Sequence, residues 1–160
     1  MTFSFISFIV IEMKRLLSIA KIVRKKCEKF ALSKDSIDYD FNGENDLTCM
    51  CAVASFALYE ALRQQGITCK VVEGLFYQFK EEPRNYQHYL RRYSHCWVKA
   101  GKKVIDITAT QFGDYPKVHV VSNKNKKYRS MKTITDYNYF NDWYGQTPSE
   151  TISKKILTLP

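Results

Sequence analysis

Apolar residues recur at three- and four-residue steps from Leu16 through Ile19, Val23 and Cys27 to Phe30, and Lys and Arg fill the positions between. That period predicts an amphipathic helix over residues 14–32. The preceding run, residues 3–11, is apolar throughout. It falls far short of the roughly 20 residues that a membrane-spanning helix needs. It has no basic segment ahead of it and charges directly after it (Glu12, Lys14, Arg15), unlike a signal peptide. Met13 opens a more ordinary start, so residues 1–12 read as an extension, spurious or disordered. Residues 33–46 are a polar loop. Residues 48–65 (TCMCAVASFALYEALRQQ) hold Ala, Leu and Glu without Gly or Pro, which predicts a second helix. Thr48 or Asp46 can cap it, and Gly66 supplies its stop. With Thr48 as cap, Cys51 falls at the third helical position. Val53, Ala54, Phe56, Ala57, Leu58 and Leu62 run almost around this helix, as in a helix buried at the centre of a domain.

Beyond Gly66 the pattern changes to strand. Residues 67–73 are short and β-branched, and 75–79 continue the pattern past Gly74. Residues 80–92 are polar and read as a loop or short helix. Residues 94–99 and 103–108 are two strands joined through Ala100-Gly101-Lys102, a hairpin signal. Residues 117–121 form a further strand and 123–127 a charged turn. Thr147-Pro148-Ser149-Glu150 is a capping box opening a last short helix. The order of helices followed by an antiparallel sheet gives an α+β fold, with N-terminal helices packed on the sheet. With no internal repeat or linker, residues 1–160 read as one domain.

Composition bounds the rest. The chain has 160 residues, 45% of them hydrophobic, enough for one real core. Its formal charge is +9, with Arg24, Lys25, Lys26 and Lys29 forming one basic cluster and Lys124, Lys126, Lys127 and Arg129 another. Such clusters are either a solubilising surface or a surface for acidic partners such as nucleic acid; the first reading is favoured. Five cysteines in no framework spacing fit free thiols in a reducing, cytoplasmic compartment, and delivery as a secreted effector stays open. Oligomeric state is not legible.

Three features carry chemistry. Cys51 opens a buried helix, where the first-turn amides and the helix dipole stabilise a thiolate. Its own N–H is half of an oxyanion hole. His95 and Asp106 lie eleven residues apart across a tight hairpin. A two-residue loop at 100–101 sets 106 opposite 95, and one at 101–102 sets it opposite 97; either keeps the two residues on one face. A carboxylate beside an imidazole fixes its tautomer and supports the imidazolium. Asp106 also interrupts an apolar strand (Val104, Ile105, Ile107), where an unpaired charge is costly.

The stretches CAVASFALYEALRQQG, VVEG and HCWVKAGKKVIDITATQF, spanning about residues 47–112, resemble the transglutaminase-like superfamily. More narrowly, the chain looks like its small bacterial and phage members, with a Cys-x-x-x-Ser helix, a His-x-Trp strand and an Asp-x-Thr-x-x-Gln-Phe strand. The resemblance implies a papain-like fold with Cys51 as nucleophile, His95 as base and Asp106 as its orienter. It also implies a thiol hydrolase or acyl transferase acting on amide or isopeptide bonds of a peptide or protein, with no cofactor and no metal. Substrates vary across the superfamily, and inactive members exist. A catalytically inactive binding module, holding nucleic acid or an acidic protein on the basic surface, is therefore the alternative. Gln111, Asn45 and Trp97 are candidates for oxyanion or substrate contacts.

Other readings of these residues stand beside the first. Cys51 is otherwise a small buried core residue, and Cys49 is a weaker competing nucleophile. Cys96 alternates to the face opposite His95 and reads as core; Cys27 and Cys69 fit apolar stripes. His88 and His119 read as surface or incidental residues. The Tyr-rich segments 86–93 and 137–144 read as aromatic packing. Cys49, Cys51, His95 and Cys96 offer soft metal ligands, but Cys-x-Cys and His-Cys are not the usual spacing.

Overall fold

The computed structural model describes residues 2–33, 47–81, 88–136 and 149–160, and the side chains of 12–33, 47–78, 91–136 and 150–160. Among these residues there are three helices and one five-stranded antiparallel sheet; the second helix packs on the sheet and the other two pack on that helix. Helix α1 spans Thr2–Ala31, so it begins well before residue 14 and takes in the apolar run. Of its predicted stripe, Leu16, Val23, Cys27 and Phe30 are buried and Ile19 is partly buried, and Ala20 joins them in the core.

Helix α2 spans Cys51–Gln64. Its C-terminus follows the sequence signal. Gly66 adopts φ +74°, its N–H donates to Arg63 O (2.8 Å), and Ile67 N–H donates to Leu62 O (3.0 Å). This is a Schellman closure that needs a left-handed residue. The N-terminus departs from expectation. Met50, not Thr48, is the cap residue, with no side-chain cap bond, and Cys51 is the first helical residue rather than the third. Leu47 and Cys49 take φ of 63° and 65°, a region that costs a non-glycine residue of order 1–2 kcal/mol. Leu47 and Met50 are fully buried, so their packing holds this strained approach in place.

Strand β1 (Cys69–Glu81) and β2 (His88–Ala100) form one long hairpin paired from Cys69↔Ala100 to Glu81↔His88. The predicted loop at 80–92 is thus strand at both ends, because cross-strand pairing overrides the polar composition. β1 does not break at Gly74; a bulge there shifts its register with β5. A Cβ at Gly74 would collide with Arg129 O and lie 2.5 Å from Trp97 Cη2, so only glycine lets the indole and the β5 backbone approach. β3 (Lys103–Asp106) pairs with β2, Val98 facing Ile105 and Ala100 facing Lys103. The hairpin loop is therefore Gly101-Lys102. β3 ends two residues short of the predicted 108, and Ala109–Phe112 forms a 3-10 turn. β4 is His119–Ser122. β5, Tyr128–Ile134, has no counterpart among the predicted elements. α3 (Ser149–Thr158) matches the predicted last helix and packs on α2, with Ser153 Oγ donating to Val53 O (3.1 Å).

The sheet order is β4-β3-β2-β1-β5, yet its two edge strands meet: His119 of β4 lies 2.9 Å from the Tyr128 hydroxyl of β5. The sheet is therefore curled on itself. Its outer face buries Val71, Cys96, Val98, Ile105 and Ile134 against the helices. Its inner face encloses a smaller cluster of Val72, Phe76, Trp97, Val104, Phe112 and Tyr128.

Arg24, placed by its sequence in a basic surface cluster, is buried instead. Its guanidinium donates to Ile107 O (2.6 Å), Thr110 Oγ1 (3.0 Å) and Glu28 (2.9 Å). It ties α1 to the chain just after β3. Lys26 donates to the carbonyls of Leu157 and Leu159, and Lys29 to that of Pro160. Most of the first basic cluster thus satisfies orphan backbone carbonyls. Among the described residues no helix is long and apolar enough to cross a membrane.

Candidate active site

The β2–β3 ladder covers only Val98–Ala100 on the β2 side. Below it the chain of β3 turns away, and the N-terminus of α2 reaches the stretch of β2 that holds His95 and Cys96. Cys51 there lies against both residues: the imidazole of His95 and the thiol and backbone N–H of Cys96 all act on its sulfur.

His95 is held from the other side. Its Nε2 lies 2.7 Å from Asp106 Oδ2, with both side chains fully buried. A carboxylate only accepts, so Nε2 carries the hydrogen, and Nδ1 is the nitrogen left for the thiol. Asp106 receives three further donations: from the Tyr128 hydroxyl to Oδ2 (2.9 Å), and from Thr108 N–H (2.8 Å) and Thr108 Oγ1 (3.1 Å) to Oδ1. Burial alone would push this carboxyl up, but His95 and these donors hold it below its usual range. Burial likewise opposes the imidazolium, yet the Asp106 carboxylate, with help from Cys51, pushes His95 up from 6.5 to about 10.

For Cys51 the Cys96 thiol is the largest influence, donating toward the sulfur. Burial opposes it, and the hydrogen bond and charge of His95 then bring the thiol well below its usual value. Cys96 shifts the opposite way, pushed far up by Cys51 and by burial. Of the two neighbouring sulfurs, negative charge is therefore favoured on Cys51 and the proton on Cys96. Both sulfurs are buried, Cys51 with 7% of its surface exposed.

Aromatic rings wall the imidazole. Phe112 meets it edge-on at 4.7 Å, and Phe76 and Trp97 lie at 5.9 Å. Tyr93 covers Phe112 at 4.8 Å. The Tyr93 hydroxyl donates to Gln78 Oε1, and Gln78 Nε2 donates to Phe112 O, which straps this wall to β1.

The sequence-predicted residues fall into three groups. Cys51, His95 and Asp106 come together. Gln111 joins them at the margin: its Nε2 donates to Thr108 O (3.0 Å) and lies 3.5 Å from His95 Nδ1, the limit of a hydrogen bond. Trp97 is buried two residues along β2, its Nε1 without a hydrogen-bond partner among the described residues. It lies within the inner cluster, its ring 5.9 Å from that of His95. Asn45 and Asp46 lie outside the described residues, as do the 137–144 segment and the side chain of His88.

Other thiols are ordinary. Cys27 is pushed up to about 12 and Cys69 to about 11, burial being the main cause in each. Cys49 is exposed. Among the described residues no three His, Cys, Asp or Glu side chains are grouped to hold a metal ion. Among the described residues, cavities of about 220, 310 and 390 Å³ open on the surface away from Cys51, His95 and Asp106.

Sequence reasoning missed Tyr128 and Thr108 as partners of Asp106, and it misread His119, which is half-buried and bonded to Tyr128. Thr108 had a signal, since an Asp two residues before a backbone N–H is the Asx-turn pattern. Tyr128 had none, because its strand arrives from the far edge of the sheet. Comparison of the chain with family models, curated proteins and solved structures gives no match in any of the three.

Proposed function

We propose that the chain is a cysteine-dependent hydrolase or acyl transferase of papain-like, transglutaminase-like architecture, acting on an amide or isopeptide bond of a peptide or protein. One observation carries the reading. Asp106 occupies His95 Nε2 at 2.7 Å, leaving Nδ1 toward a sulfur whose thiol is shifted down at the first residue of a buried helix. Buried charges in a row are costly unless they serve each other, and these are ordered as a thiol enzyme requires.

In this scheme the resting site is a Cys51 thiolate with a His95 imidazolium. The sulfur attacks the carbonyl carbon, and the first-turn amides of α2 face the oxyanion that forms. His95 gives its Nδ1 proton to the leaving amine as the C–N bond breaks, and a thioester remains on Cys51. Water or a second amine then attacks the thioester, His95 takes the proton, and the thiolate leaves. Asp106 keeps the ring oriented throughout. No metal or organic cofactor enters these steps.

The burial of Cys51 and the exposure of Lys124, Lys126 and Arg129 favour a second reading, a catalytically inactive module that binds nucleic acid or an acidic protein. Salt-sensitive binding with an inert Cys51 marks that alternative. Iodoacetamide labelling with peptide mapping separates the two. The enzyme reading expects fast, selective modification of Cys51 near neutral pH, and a Cys51→Ala variant that folds but fails to react with amide-mimicking electrophiles. Slow or unselective labelling ends it.

A further inference from the structure

We propose that His119 and Tyr128 form a positioning pair, a directed hydrogen-bond relay that fixes the Asp106 carboxylate against His95. The proposal rests on the thiol-enzyme reading above. Its direction follows from counting hydrogens. Tyr128 has one hydroxyl hydrogen and gives it to Asp106 Oδ2 at 2.9 Å. The same oxygen then has only lone pairs to offer His119 Nδ1, which lies 2.9 Å away. His119 Nδ1 must therefore carry the hydrogen, which fixes its tautomer. The relay runs from His119 to Tyr128 to Asp106, where it meets the donation arriving from His95.

The surroundings keep this arrangement. Burial pushes His119 down from its usual value; Asp106 acts against that and Lys127 with it. Tyr115 stacks obliquely on His119 at 5.3 Å, and Lys127 Nζ donates to the Tyr115 hydroxyl at 2.8 Å. Burial and Asp106 keep the Tyr128 hydroxyl protonated. The groups facing the relay are thus Asp106 from β3, His95 from β2, and Tyr115 and Lys127 from the chain flanking β4 and β5.

The relay also spans the seam where the two edge strands of the curled sheet meet. Tyr128 reaches Asp106 only because β4 and β5 close on each other. Of the four donations to Asp106, Tyr128's shares Oδ2 with His95 and so bears on the bond that orients the imidazole. Its loss leaves the carboxylate less well held in its charged form. The carboxyl then protonates at higher pH, and the thiolate–imidazolium pair collapses with it.

The experiment is the pH dependence of Cys51 alkylation by iodoacetamide in the full chain, with thermal melting as a check on the fold. Tyr128→Phe is expected to move the acid limb of the profile up by about one pH unit, the worth of one hydrogen bond to a charged group. His119→Leu moves it part of the way. His119→Asn, whose amide N–H replaces Nδ1–H, restores the original profile. Nitrogen NMR is expected to find His119 as the Nδ1–H tautomer. A purely structural role would lower the melting temperature and leave the limb in place. An unmoved limb in Tyr128→Phe, or an Nε2–H tautomer at His119, overturns the relay. If Tyr128→Phe does not fold, the His119→Leu and His119→Asn pair decides by the same criterion. If Cys51 of the unaltered protein is not selectively alkylated, the enzyme reading fails by itself. The NMR titration of His95 then decides the relay: a shift in Tyr128→Phe supports it, and no shift overturns it.

Discussion

Cys27 and Cys51 are both buried in the helix-side core of one sheet, yet their thiols move in opposite directions. Around Cys27, on the inner stripe of α1, burial dominates, the Arg24 charge offsets little of it, and the thiol rises to about 12. Around Cys51, at the mouth of α2, the same burial is overcome by Cys96 and His95. The apolar middle of the molecule holds a thiol up, and the end where helix meets curled sheet holds one down. The difference lies in what the inner face of the sheet places behind the histidine. Among the described residues, only there do a buried carboxylate, imidazole and thiol come as a set, with donors assigned to each carboxylate oxygen.

The sharpest break of this comparison is removal of Asp106. In Asp106→Ala, His95 loses its counter-charge and reverts to a buried neutral ring. Cys51 then behaves more like Cys27. Alkylation at pH 7 is expected to fall about 100-fold or more, and stability by about 3–5 kcal/mol, as when a buried pair loses one partner. Kinetics of labelling and urea denaturation read the two effects.

The converse variant is Phe30→Ala, in the apolar region. A comparable loss of about 3–5 kcal/mol is expected from the cavity left by a fully buried ring. The reactivity of Cys51 per folded molecule should not change. A coupled loss of both would show that the two regions are not separable.

Gly74→Ala comes next. The added methyl meets Arg129 O and the Trp97 indole, an overpacking expected to cost about 1–3 kcal/mol. Displacing Trp97, which lies against both His95 and Tyr128, should also slow Cys51 alkylation, whereas Gly101→Ala meets no neighbour and should leave reactivity unaltered.

The smallest effect is a matter of slope. A histidine held up to about 10 contributes stability that is complete below its usual 6.5 and is lost as pH rises toward 10. A thiol held down contributes stability that is complete above its usual 9.0 and is lost as pH falls through its lowered value. Between about 6.5 and 9 the folded pair and the unfolded chain each bind one proton: imidazolium in the first, thiol in the second. Stability from the pair is then flat with pH over that range. In Cys51→Ala only the histidine contribution remains, so stability should decline across the same range. Parallel curves for the two proteins, from urea midpoints at a series of pH values, would show that no ion pair forms.

Much of this was legible in local pattern. The apolar stripe of α1, the stop at Gly66 and the pairing face of His95 and Asp106 all follow from periodicity and turn chemistry. These are properties of neighbours in sequence. Where local signals failed, a distant part of the chain had intervened. Thr48 lost the cap to Met50 because buried Leu47 and Met50 fix a left-handed approach to the helix. Residues 88–92 became strand because β1 offered thirteen partners in register. Arg24 left the surface because backbone carbonyls beyond β3 needed a donor.

The sequence by itself determined which side chains could do chemistry and which faces they occupy, since side-chain alternation and helix period are set by the backbone of each element. Tertiary structure alone decided which nitrogen of His95 faces the sulfur, which of two adjacent thiols is shifted down and which up, and that Tyr128 and His119 stand behind Asp106. Those are outcomes of distance and burial among residues from separate strands. A charge far from solvent answers to every polar group around it, and no local pattern records which groups those will be.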